Sequence, residues 1–450
     1  MVEALLIQGA RILDASVGMD QVGDVLVVDG RIQKSGVYVT DGDIPEGCHV
    51  VSGEGLVVCP GFIDLHCHLR EPGFEDRETI ATGTMAAALG GFTTVCAMPN
   101  TNPAIDSAGM VEFILQKARQ DGHVRVLPIG CVTKGRKGQE LAELWELAQA
   151  GVIAYSDDGS PVADPNLMKQ ALSYTSALGL PVINHCEELS LTVGASINEG
   201  WVSNRLGLIG WPREAEESMV ARDIALAGLT GGALHLAHIS TSNSVNLLRQ
   251  AKERGLKVTA EATPHHLALT EEWVLGHNPV GSVSGPVTLD AYDPKTKVNP
   301  PLRSNIDVEA VVAGLREGII DAIATDHAPY SLVEKVATLE QAGWGISGLE
   351  TAFSTLLTFL LPDEVTLMAL VAALTTGPAK VLGKAYEDLA TLRAGTTADL
   401  VLFDPDAEWV VRTENFASKG KNSPLEGVEM KGRVVMTVVG GRVVSRYDKG

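Results

Sequence analysis

Eight short apolar runs alternate with helix-like stretches between residues 61 and 325, and that alternation limits the folds open to the chain. The runs are 61–66, 93–97, 124–129, 152–156, 181–184, 233–237, 257–261 and 321–325. Their length, their apolar character and the turn residues that bound several of them are the pattern of buried strands. Between them lie helical patterns such as 77–90, closed by Gly90-Gly91, and 139–150, closed by Gly151. Eight such alternations predict an α/β fold, a (β/α)8 TIM-like barrel; a doubly wound open sheet shares the alternation.

The polar residues at the run ends favour the barrel. His66 and His68 follow the first run, Asn100 the second, Asp157-Asp158 the fourth, His185 the fifth, His238 the sixth and Asp326 the eighth. A barrel gathers the C-terminal ends of its strands at one face, where an open sheet would scatter them along its width. Singly, each residue has an ordinary account: an Asp-Asp-Gly turn, a core histidine, a capping aspartate. Side chains alternate along a strand, so His66 and His68 share a face and Cys67 points away.

Four histidines and two aspartates are enough for two zinc-class ions. Six ligands on one zinc would leave no open position, whereas sharing them over two leaves room for water. Such a site activates water for attack on an sp2 carbon, and Asp326 can take the proton and pass it to a departing nitrogen. The residues therefore point to metal-assisted hydrolysis of an amide-like bond, or its reversal. Arg70 leaves the first strand on the same face and offers a planar fork to a carboxylate; a surface ion pair with Glu71 or Glu75 is the alternative. Asn100 and Asn299 suit either a polar ligand or a turn.

Both chain ends differ from the centre. Runs 4–7 and 21–28, with Asp29-Gly30 as a hairpin turn, match in kind the runs 399–403, 434–439 and 442–444, with Gly440-Gly441 between the last two. The expected division is one small β-domain from residues 1–57 plus 390–450, packed beside a metal-dependent barrel domain of residues 58–389.

Charge narrows the partners. Lys and Arg number 35 against 56 Asp and Glu, a net charge of −21. That field repels nucleic acid and anionic membranes, so neither is expected as a partner, and an anionic substrate must be held by local cations. None of the six cysteines forms a CxxC pair. Reduced thiols in a cytoplasmic protein are expected. Met1 to Leu5 carry no basic stretch of the kind that opens a signal peptide.

A set of segments resembles the dihydroorotases, in the zinc-containing bacterial class of the amidohydrolase superfamily, over nearly the whole length. They are GFIDLHCHLREPG (61–73), ETIATGTMAAALGGFTTVCAMPNTNP (78–103), DDG (157–159), NHCE (184–187), HIS (238–240), TPHHL (263–267), VNPPLR (298–303), ATDHAP (324–329) and GLETAF (348–353). The resemblance implies a β-sandwich for the small domain and reversible cyclisation of N-carbamoyl-L-aspartate to L-dihydroorotate in pyrimidine biosynthesis. It implies one or two zinc ions, with His66 and His68 on one side, His185 and His238 on the other, and Asp158 rather than Asp157 as the bridge. Asp326 corresponds to the catalytic acid/base near the first zinc. Arg70, Asn100 and Asn299 correspond to substrate contacts, and the Trp344-Gly345 segment to a loop that meets substrate through its backbone. A homodimer and an association with aspartate transcarbamoylase are further expectations.

Two departures stand out. The family's DHAPH motif reads Asp326-His327-Ala328-Pro329-Tyr330, so tyrosine replaces a substrate-contacting histidine. A phenol can donate to a carboxylate but cannot become cationic. Residues 275–295 form a longer link than the family's, read as a surface insertion. The remaining histidines are read as structural. Competing readings are a hydantoinase- or allantoinase-like hydrolase, whose bridge is a carboxylated lysine, and a non-catalytic scaffold for aspartate transcarbamoylase.

Overall fold

The computed structural model describes residues 4–276, 290–360 and 364–447. Its centre is a closed parallel barrel. Phe62–Cys67, Phe92–Ala97 and Arg125–Pro128 pair in order. Val182–Asn184, Leu234–Leu236, Val258–Ala262 and Ala322–Ile323 pair in order as well.

Two seams join these halves. The run 152–156, expected as a full strand, supplies only single bridges, from Tyr155 to Gly130 and to Val182. Its backbone still links both neighbours, with Ser156 N donating to Gly130 O at 2.8 Å and Ile183 N to Tyr155 O at 2.8 Å. At the other seam Cys67 bridges His327, and His68 N donates to His327 O at 2.9 Å. The first and eighth strands are thus neighbours, which an open sheet does not allow. Ile63, Leu65, Cys96, Ile129, Ile183 and Ala324 come from five different strand runs and share one buried cluster, as the interior of a barrel requires.

The helices begin later than their sequence patterns suggest. The expected 77–90 is Ile80–Leu89, because Thr79 accepts from Thr82 N and caps the first turn. The preceding Glu78 carboxylate is drawn to His327 at 3.2 Å. The expected 139–150 is Leu144–Ala150, ended by Gly151 at φ 110°; Leu141 is held instead in a bridge to Thr133.

Strands from both ends of the chain share one eight-stranded sheet. Val57–Pro60 lies between Ala4–Asp14, parallel to it, and Leu400–Val410, antiparallel. Ile7, Ile12, Val27, Val58, Leu402 and Val438 pack into one core, so the sheet folds over as a small β-sandwich. The two expected hairpin turns meet: a Cβ on Gly441 would lie 2.5 Å from Gly30 Cα, so only glycine fits there. All six cysteines are free and five are buried. Among the described residues no helix is long and apolar enough to cross a membrane. The link at 275–295 falls largely on residues 277–289, which lie outside the described residues together with His277.

Candidate metal centre and substrate pocket

The six candidate metal ligands converge at the C-terminal mouth of the barrel, and all are buried. His66 is the penultimate residue of the first strand, within a register shift between Asp64 and Cys67. Arg70, His238 and Asp326 adopt positive φ, at 62°, 34° and 44°. Non-glycine residues occupy that region at a cost, and such strain concentrates at functional sites.

Asp158 stands at the centre. Its Oδ1 lies 3.3 Å from His66 Nε2, 3.6 Å from His185 Nδ1 and 3.7 Å from His238 Nε2, and its Oδ2 lies 3.6 Å from His68 Nε2. Asp326 Oδ1 lies 3.1 Å from His68 Nε2 and 3.5 Å from His66 Nε2. His185 Nδ1 and His238 Nε2 are 2.9 Å apart. Asp157 does not enter the cluster. Its carboxylate is taken by Val132 N, Thr133 N and the Thr133 hydroxyl.

The outer nitrogens of three imidazoles are anchored. His66 Nδ1 donates to Glu261 Oε1 at 2.8 Å, His68 Nδ1 to Asn100 Oδ1 at 2.8 Å, and His185 Nε2 to Glu187 Oε2 at 2.9 Å. A proton fixed on the outer nitrogen leaves the inner one as a lone pair facing the cluster. His66 Nε2 and Asp158 Oδ1 therefore face each other as buried acceptors, and neither has a hydrogen-bond partner. A cation between them satisfies both. Burial opposes charge on His66, yet Asp158 and Asp326 raise its pKa well above the usual range. Burial opposes charge on Asp158 too, but His66 and its neighbours hold it well below the carboxylate range. The cluster is built for positive charge at its centre, and a metal competes with the proton for it. Two ligand groupings fit an ion, His66 with His68 and Asp326, and His66 with Asp158 and His238. The donor set of imidazole and carboxylate suits a first-row metal such as zinc.

A cavity of about 220 Å³ opens over the cluster. Arg70, Asn100, Asn299, Tyr330, Trp344 and Gly345, the candidate substrate contacts, all line it. Arg70 is buried; its Nε donates to Pro329 O at 3.3 Å and its Cζ sits 5.2 Å from the Tyr330 ring centre. Asn100 and Asn299 have structural partners as well: Asn299 Nδ2 donates to Glu187 Oε2 at 3.0 Å, while its Oδ1 is buried and unpaired. Gly345 has φ 151°, and a Cβ there would lie 2.5 Å from Ala328 Cβ, so the Trp344-Gly345 backbone can approach only as glycine. A larger cleft of about 450 Å³, beside Trp409 and Arg433, holds none of the clustered histidines.

Three residues at the site escaped the sequence reading. Glu261 sits in the seventh strand; a glutamate within an otherwise apolar buried run was the available signal. Glu187 follows His185 by two and accepts from His185, Asn299 and Thr192. Arg136 lines the cavity and donates to the Asp158 carbonyl and to Ser160 Oγ; nothing in its sequence neighbourhood marked it. Of the remaining described histidines, His235 is tied to Glu261 at 3.1 Å, His327 to Glu78 at 3.2 Å and His266 to Pro300 O at 3.0 Å.

A family described as dihydro-orotase-like matches residues 55–244, and one described as amidohydrolase family matches residues 279–445. The barrel, its sandwich and its histidine–carboxylate centre define a metal-dependent cyclic-amide hydrolase of the amidohydrolase kind. The dihydroorotase of Pelotomaculum thermopropionicum is 48% identical over 98% of each chain, and that of Citrifermentans bemidjiense 47% identical over 98% of this chain and 99% of its own. The chain belongs to the dihydroorotase family. Solved structures share the fold: an L-hydantoinase from Arthrobacter aurescens has a TM-score of 0.85 at 24% identity, covering 99% of this chain and 96% of its own. A dihydropyrimidinase from Brevibacillus agri has a TM-score of 0.82 at 22% identity, covering 99% and 95%.

Proposed function

We propose that the chain interconverts N-carbamoyl-L-aspartate and L-dihydroorotate with the help of one or two zinc ions, as a step of de novo pyrimidine synthesis. The observation that carries this reading over other cyclic-amide chemistry is the buried Arg70 guanidinium, which lines one small cavity with Asp326 and the histidine cluster. A cation inside the pocket of a chain with net charge −21 suits a substrate that keeps a free carboxylate through the reaction. A hydantoin offers it nothing to pair with. The bridging position holds Asp158, with no lysine beside it in 156–159.

His66, His68 and Asp326 would hold one ion, His185 and His238 the other, with Asp158 between. When bound, the metal polarises a carbonyl and makes water a competent nucleophile near neutral pH. Asp326 is the proton carrier. Burial works against its charge, but His66 and its other histidine neighbours keep it ionised far below neutrality, ready to accept a proton. In ring opening it takes the proton of the attacking water and delivers it to the departing ring nitrogen; in ring closure the order reverses. Arg70, Asn299 and Tyr330 receive the carboxylate and ring polar groups, Asn100 also holds His68, and Trp344-Gly345 close the wall.

The barrel, 58–389, is the catalytic unit in this reading and the sheet from both ends is its support. Six free thiols fit a reducing cytoplasm. Exposed Val193, Val333 and Val336 offer apolar area for a homodimer or for aspartate transcarbamoylase, testable by light scattering with and without that enzyme. The intact donor set speaks against a purely scaffolding role.

The test is metal analysis of the purified protein combined with assays on L-dihydroorotate and hydantoin. Zinc at one or two per chain and turnover of dihydroorotate are expected, with hydantoin at background. Comparable rates on both would overturn the assignment. Ring closure consumes one proton, so the equilibrium ratio should move about tenfold toward dihydroorotate per unit fall in pH near neutrality; a ratio that ignores pH would refute the reaction.

A further inference from the structure

The short helix Leu332–Lys335 is inside out. Leu332, Val333 and Val336 at its end are 62%, 83% and 82% exposed, while Lys335 is 7% exposed. Ordinary patterning would bury the apolar residues and leave the ammonium in water. Local rules broken without a packing gain mark functional positions.

The Lys335 ammonium donates to three backbone carbonyls, Gly343 O at 2.7 Å, Pro294 O at 3.0 Å and Lys297 O at 3.3 Å. Each belongs to a segment that builds the substrate pocket. Gly343 precedes Trp344 and Gly345. A Cβ on Gly343 would lie 2.4 Å from Tyr330 Cε1, so the Tyr330 ring rests directly on the backbone that Lys335 grips. The Pro294–Thr296 turn leads to Asn299, and the Lys297 carbonyl also accepts from Gly345 N at 3.0 Å. The Lys297 ammonium lies 4.2 Å from the Trp344 ring centre, and that ring stands edge-on to Trp211 at 5.3 Å. Two chain segments, the turn at 294–297 and the stretch that starts at Gly343, thus meet on a nitrogen supplied by a third.

We propose that Lys335 is a positioning residue: it fixes the pocket wall carrying Tyr330, Trp344 and Gly345 by tying their backbone to the turn before Asn299. The proposal rests on the reading above that this pocket takes the substrate. Lys335 touches none of the metal candidates, so it acts on binding rather than on the proton transfer at Asp326. Burial, together with the like charge of Lys297, lowers its pKa to about 7, while Asp293 and Glu334 oppose that fall. The three carbonyls take the place of water around this buried nitrogen.

The test compares Lys335→Met, which keeps the stem and removes the donors, with Lys335→Arg, which keeps charge and donors. The expected result for Lys335→Met is a KM for L-dihydroorotate raised at least tenfold, kcat within threefold of the parent and metal content unchanged, with Lys335→Arg recovering most of the KM. The Trp344 part of the emission spectrum, isolated against a Trp344→Phe reference, should change in Lys335→Met without any substrate present. An unchanged KM and emission overturn the proposal, and so does a loss of kcat that follows loss of metal. If Lys335→Met does not accumulate folded, Lys335→Gln against Lys335→Arg decides by the same readouts: a raised KM in Gln alone supports the role, and equal values overturn it. Absence of dihydroorotate turnover in the parent would end the functional reading, while the emission change would still decide the clamp.

Discussion

Glu261 Oε1 lies 2.8 Å from His66 Nδ1, on the far side of the ring from the nitrogen that faces Asp158. The same carboxylate reaches His235 Nε2 at 3.1 Å through its other oxygen. Burial resists charge on Glu261, yet the bonds from His235 and His66 push its pKa down to about 2. An ionised acceptor there makes His66 a better ligand. Glu261→Gln should therefore weaken zinc binding by about 10–100-fold, read by competition against a chelator. Parental affinity in that variant would remove Glu261 from the role.

Asp326→Asn keeps an oxygen and the shape of the side chain but cannot shuttle a proton. We expect metal to be retained at no less than half the parental content and kcat to fall by about 10²–10⁴-fold. A rate within tenfold of the parent would place the proton transfer elsewhere.

Tyr330 is flanked by two guanidinium groups, Arg70 Cζ at 5.2 Å and Arg77 Cζ at 4.8 Å from its ring centre. Tyr330→His keeps a hydrogen-bond donor and loses part of this π surface. The expected change is in KM, by about three- to tenfold, the scale of one exposed-to-buried cation–π contact. A collapse of kcat would show that the phenol itself takes part in the chemistry.

Glu350 is half-buried, and its partial loss of solvent raises its pKa to about 7 from an ordinary 4.5, although Ala417 N and Ser418 N donate to it. A carboxyl whose folded pKa is raised stabilises most below the unfolded value and loses that contribution as pH climbs through the folded one. The contribution of Glu350 to stability should thus fall away between about pH 4.5 and pH 7 in the parent and be missing from Glu350→Gln. The gap between variant and parent should move in the variant's favour by roughly 2–3 kcal/mol from pH 5 to pH 8. A gap that does not change with pH, measured by denaturant titration at both values, would contradict this.

Barrel and candidate metal cluster were legible because their signals are local and repeat. A strand-end histidine needs only its own run to be recognised, and His66, His68, His185 and His238 each stood at the end of one. Asp157 and Asp158 were not separable by spacing, since adjacent residues share the same signals; what divides them is that loop residues Val132 and Thr133 claim the first. Glu187, Glu261 and Arg136 act through partners 2 to about 200 positions away, and a single sequence does not pair such residues. The fourth strand read as regular because its apolar run was the right length; backbone hydrogen bonds from Ile153 to Ser156 do hold it between its neighbours, but full bridges form only at Tyr155. Lys335 was invisible for the opposite reason. A lysine among exposed residues reads as surface until the three carbonyls around it are seen.

The strand Val57–Pro60 is paired on one side with Ala4–Asp14 and on the other with Leu400–Val410. During synthesis the first partner emerges from the ribosome early and the second only after some 340 further residues have been made. Throughout that interval the N-terminal strands present an unpaired, apolar edge, the kind that recruits other chains. Nascent protein halted anywhere in the barrel should therefore be aggregation-prone, and the arrival of Leu400–Val410 beside Val57–Pro60 is what finally retires that hazard.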